Sequence, residues 1–151
     1  MVNKMAMQKI TMGTVLAIAV MGIVASALGA LVATRTISNT GNLKAIGVGV
    51  YLDSSCTNPV SSIDWEVLDP GAKVNKTIYV RNEGNVAVTL SMTTGNWNPS
   101  SASSYITLTW NREGYVLSTE SVVKAVLTLS VSSSISAITS FSFDIIISGT
   151  A

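Results

Sequence analysis

The sequence predicts an all-β sandwich set behind an N-terminal signal or transmembrane helix. Three observations carry that expectation. The chain runs without a charge from Ile10 to Thr34. From Leu43 onward its apolar residues alternate with a period of two. Gly, Pro, Asn and Ser separate the alternating runs.

The N-terminal element comes first. Lys4 and Lys9 precede the uncharged stretch, and Arg35 is the next charge. A helix of roughly 20 apolar residues crosses a bilayer core, so residues 1–34 can span one. The same pattern fits a signal peptide with a basic head and an apolar middle. Ala25-Ser26-Ala27 offers small residues where a signal peptidase reads, and cleavage after Ala27 makes Leu28 the new N-terminus. The lysines place the N-terminus on the cytoplasmic side. Cut or kept, the segment puts residues 43–151 outside, at the cell surface or beyond it.

The strand rows follow in order. Ile46, Val48, Val50 and Leu52 make the first inward row, and Ile63, Trp65 and Val67 a short second one. Val74, Ile78 and Val80 make the third, with Lys76 interrupting it at a sheet edge or strand start. Val86, Val88, Leu90 and Met92 make the fourth; Ile106, Leu108 and Trp110 the fifth. Val123, Ala125, Leu127, Leu129 and Val131 form the sixth, and Phe141, Phe143, Ile145 and Ile147 the last, with Asp144 pointing away. About seven antiparallel strands parted by turn residues match an immunoglobulin-like sandwich. Asp69-Pro70-Gly71 reads as a turn, Asn82-Glu83-Gly84-Asn85 as a tight hairpin, and Asn96 to Ser101 as a loop.

Composition narrows the function. Charged residues are 11% of the chain and the net charge is +1; without Lys4 and Lys9 the nine basic residues become seven, against eight acidic ones. Such a surface gives nucleic acid no electrostatic foothold. There is no histidine, which excludes Ser-His-Asp and Cys-His catalysis and the common zinc sites. The single cysteine, Cys56, has no partner for an internal disulfide and reads as an idle thiol. No catalytic, cofactor or metal residue is predicted, and the chain does not read as an enzyme.

Between the export segment and the strands lies an apolar, β-prone stretch, Leu28 to Ser38, followed by Asn39-Thr40-Gly41-Asn42. Residues 35–42 read as a linker or a donor strand. If the chain is cut after Ala27, Leu28, Leu31, Val32 and Ile37 lead a free tail able to complete a neighbour's sheet edge. Repeated head to tail, that contact does not close, and a homopolymer results. The other reading makes the stretch the end of a membrane helix and a short stalk.

Leu68-Asp69-Pro70-Gly71, followed by Ile78 to Asn85 with its Asn-x-Gly, resembles small β-sandwich surface proteins of the TasA/camelysin type and their archaeal pilus-like relatives. Ile37 to Asn42, Gly47 to Tyr51, and the closing Phe141-Ser142-Phe143-Asp144-Ile145 look similar to exported archaeal sandwiches. The resemblance implies a secreted subunit that assembles into fibres by donated N-terminal strands. It does not carry over the metalloprotease activity described for some camelysin-type proteins, because no His-Glu-x-x-His occurs here.

Other candidates concern surface contacts. Asn75-Lys76-Thr77 is a glycosylation sequon. Trp97, in an Asn- and Ser-rich stretch near Tyr105, is a candidate loop contact, although an aromatic there also suits capping of the core. Asp53, Asp64, Glu66 and Asp69 supply oxygen ligands of the kind calcium takes, but at no EF-hand spacing, so they read as solvated loop charges. The sequence therefore predicts a structural filament or matrix subunit. Its alternative is a membrane-anchored adhesion module that recognises a glycan or another envelope protein.

Overall fold

The computed structural model describes residues 37–151. The helix expected over 1–34, its cleavage site, and Leu28, Leu31 and Val32 lie outside them. Among the described residues no helix is long and apolar enough to cross a membrane.

Nine strands are present among those residues: β1 (Ser38–Ile46), β2 (Gly49–Tyr51), β3 (Ser62–Asp64), β4 (Lys73–Arg81), β5 (Val88–Asn98), β6 (Ile106–Trp110), β7 (Val116–Leu117), β8 (Val122–Val131) and β9 (Ser140–Thr150). They form two sheets, in the orders β3-β1-β9-β5-β7 and β2-β4-β8-β6. Every odd strand is in the first sheet and every even strand in the second, so each connection crosses from one sheet to the other. An immunoglobulin sandwich keeps some consecutive strands side by side in one sheet. None is so placed here, and that part of the expectation is corrected. Pairing is antiparallel throughout, except that β1 runs parallel to β9 from Ser38 opposite Ser140 to Ile46 opposite Ser148.

The core lies between the sheets and is drawn from both. The inward rows of β8 (Val123, Ala125, Leu127, Leu129, Val131) and β9 (Phe141, Phe143, Ile145, Ile147) are buried in full, as their alternation predicts. Ile106 is buried on β6, while Leu108 and Trp110 beside it are half-buried.

Four expected core residues are exposed: Ile46, Leu52, Val67 and Val86, each by half or more. Two of these exceptions have a local cause, a single backbone torsion. On β1 it is Asn39, Gly41 and Leu43 that face inward, which turns Ile46 outward. Gly47, at φ 70°, then reverses the phase, and Val48 and Val50 are buried again. Glu66 does the same at φ 63°, so that Val67 faces water and Leu68 replaces it in the core. A side-chain period of two makes any one-residue phase change exchange the faces. Leu52 and Val86 fall outside the named strands, in connections between the sheets.

Two turn assignments also change. Asn82 to Asn85 is not a hairpin, because β4 and β5 lie in different sheets; it is a crossing. Asn96, Trp97 and Asn98 belong to β5 rather than to a loop; the strand ends at Asn98, and after Pro99 the Ser100–Ser104 segment forms a 3-10 helix. Residues 38–42, read as linker or donor strand, belong to β1 and sit between β3 and β9.

Candidate interaction surface

The sequence-predicted residues are scattered over the fold. Ile37 is buried at 1% exposure and bridges Leu68, with main-chain bonds of 3.0 and 3.2 Å. It fastens the chain where β1 begins. Asn75 is exposed on β4, where its Oδ1 accepts a hydrogen bond from Thr128 at 2.8 Å, and its sequon stands on an accessible sheet face. Trp97 lies flat on Phe143, ring centres 4.2 Å apart at 4°, with Phe141 behind it. It packs against the core, as does Tyr105, whose carbonyl accepts the Ser132 N–H at 2.7 Å.

The carboxylates weighed for calcium are mostly engaged within the protein. Asp53 accepts from the Thr57 and Asn58 N–H groups at 3.1 and 2.8 Å; the Thr57 backbone bond is the main cause that holds its pKa low. Asp64 accepts from the Glu66 N–H, and Glu66 pairs with Lys76 at 2.8 Å. Among the described residues, no group of three His, Cys, Asp or Glu is placed to hold a metal ion. Cys56 is half-buried, and desolvation pushes its thiol pKa up, away from the reactive thiolate.

Two polar clusters escaped the sequence reading. On the outer face of the first sheet, the Asp144 carboxylate accepts from Lys44 Nζ and Asn96 Nδ2, both at 2.6 Å. The Asp144 side chain is 8% exposed, and these bonds, Lys44 first, hold its pKa below the usual aspartate value. Parallel pairing of the first and last described strands creates this cluster, and no local motif announces that. The second is Asn82, which is fully buried. Its Nδ2 donates to the carbonyls of Val86 (2.7 Å) and Leu117 (3.1 Å), and its Oδ1 accepts the Gly84 N–H (2.9 Å). The Asn-x-Gly signal was visible; its partner on β7 was not.

The sheet margins differ in how they are closed. Along β2, Val60 and Leu52 bond back within the following loop, to Val50 and Asn58. Along β4, β2 covers only Tyr79 to Arg81, and the Lys73–Ile78 stretch carries Lys73 and Lys76. Along β5, β7 pairs with Val88 and Thr89, Leu90 bonds to Tyr115 and Gly114, and the Met92 N–H donates to Glu113 Oε2 at 3.1 Å. Beyond Met92, β5 is irregular between Gly95 and Asn98, with Asn96 at φ 49°. Along β6, among the described residues, only β8 pairs. A groove of about 230 Å³ runs there, lined by Met92, Leu108, Thr109, Trp110 and Glu113.

No protein-family profile matches the chain, and no curated protein matches it either.

Proposed function

We propose that the chain is a structural subunit of a cell-surface or extracellular filament, exported by residues 1–34 and joined head to tail by donation of its N-terminal β-strand. One observation carries the reading: an apolar stretch from Leu28 to Thr34, free of charge, stands directly ahead of the strand that opens a two-sheet domain. Main-chain pairing supplies affinity in strand addition, and alternate side chains supply specificity. The export segment is read as a signal peptide cut after Ala27, which frees the donor; kept whole, it is a transmembrane helix and the donor stays tethered. The stack of Trp97 on Phe143 speaks against the adhesion reading, because it takes up a face of the ring proposed for the loop contact.

N-terminal sequencing of protein recovered from its native cell surface, with negative-stain electron microscopy of the same sample, tests the proposal. The expected result is a chain that begins near Leu28 in uniform fibres. An intact N-terminus in the membrane fraction, with no fibres, refutes it.

A further inference from the structure

We infer that the acceptor for the donated strand is the outer edge of β6, and that its occupant is the 28–36 segment of a second copy of this chain; the inference rests on the filament reading above. An edge strand is a template for pairing unless it is short, charged, bulged or covered. β3, β2 and β7 are short, three, three and two residues long. The open part of β4 carries Lys73 and Lys76, and the Lys76–Glu66 ion pair engages one of them. β5 is closed by β7, then by the Tyr115 loop, then by the Glu113 carboxylate on Met92, and finally by its own irregularity.

Among the described residues, β6 has none of these protections. Ile-Thr-Leu-Thr-Trp carries no charge. The Ser132 N–H bonds to the Tyr105 carbonyl, and from the alternation of an antiparallel ladder Thr107 and Thr109 also face β8. The main-chain groups of Ile106, Leu108 and Trp110 then point outward, away from it. A strand laid along them sends alternate side chains into the groove beside Met92, Leu108 and Trp110. Glu113 stands at the rim of that groove, where its Oε2 also accepts the Trp110 indole N–H at 2.8 Å.

The segment fits the edge in length and charge. β6 is about 17 Å long and residues 28–36 reach about 30 Å when extended, which leaves several residues to cross between subunits. Arg35 is the charged residue of that segment, opposite in sign to Glu113. The donor stops before Ile37, which its own subunit buries.

The test uses the full chain as its native host matures it. Leu108→Pro removes one outward N–H that β8 does not use, and proline is tolerated at such edge positions. Ser62→Pro, on β3, is the matched control. Leu31→Asp disables the donor. We expect Leu108→Pro and Leu31→Asp each to lower fibre yield at least about tenfold with unchanged circular dichroism, and Ser62→Pro to leave it intact. Mixed together, the two defective chains should form dimers, because one junction stays whole. In wild-type fibres the amides of Ile106, Leu108 and Trp110 should exchange at least about tenfold more slowly than in dissociated subunits, a readout that needs no variant to fold.

Fibres whose new protection falls on Lys73–Thr77, or that form normally with a correctly folded Leu108→Pro, overturn the β6 assignment and leave strand donation standing. β6 amides protected equally in single subunits show that the chain's own segment covers the edge, which also overturns it. A mixture that stays monomeric does the same. Absence of fibres under every condition defeats the inference and the filament reading together.

Discussion

Replacing Asn82 by alanine removes the clasp between β4, its crossing to β5, and β7. The side chain has 0% exposure and three hydrogen bonds, to the carbonyls of Val86 and Leu117 and from the Gly84 N–H. Each such bond is worth about 1 kcal/mol net, and the bond to Leu117 lies in buried surroundings where water is a poor substitute. The expected loss is therefore about 3 kcal/mol. For a domain of this size it lowers the thermal midpoint by about 10–15 °C. Urea unfolding followed by tryptophan fluorescence measures it directly, since Trp65 is fully buried. Asn82→Asp gives a second signature. It turns the donor into a carboxylate facing two carbonyl oxygens, which raises the native pKa of the acid. Its stability should then be higher at acid pH, where the carboxyl is neutral, and fall as pH rises through that raised value. A loss below about 1 kcal/mol for Asn82→Ala, with no pH dependence in Asn82→Asp, would refute the clasp.

Other predictions follow from the same contacts. A Cβ at Gly41 would lie 2.9 Å from Ile145 Cδ1 and 3.1 Å from Trp65 Nε1, so Gly41→Val should cost about 2–3 kcal/mol, read as an earlier urea midpoint. Trp97→Ala should cost about 2–3 kcal/mol, less than a fully buried tryptophan, and weaken the near-ultraviolet dichroism of the Phe141–Phe143 stack. Asp144 has a native pKa below its ordinary 3.8 because of Lys44 and then Asn96. Its contribution is present in full above the unfolded value and is lost as pH falls through the native one. The stability gap between wild type and Asp144→Asn should be constant at neutral pH and close as pH falls below the ordinary aspartate value, in urea melts run down through that range.

The amino-acid sequence alone was enough to establish the all-β class and the inward faces of the long strands. In β8 and β9, alternation continues without interruption, and side-chain period alone fixes which residues meet the core. It also set the chemical limits: a chain without histidine cannot build the common histidine-dependent sites, whatever its fold. Long-range packing settled the rest. Whether Ile46 or Val67 faces water turns on one left-handed residue, Gly47 or Glu66, whose torsion breaks the period. Whether Asn82 ends a hairpin or clasps a crossing depends on which sheet receives β5, a long-range choice that no four-residue window contains. The Lys44–Asp144–Asn96 cluster exists because β1 and β5 flank β9 from far apart in sequence. The margin of β6 is legible only beside its neighbours, because an open edge is a property of the whole sheet order and not of the five residues that form it.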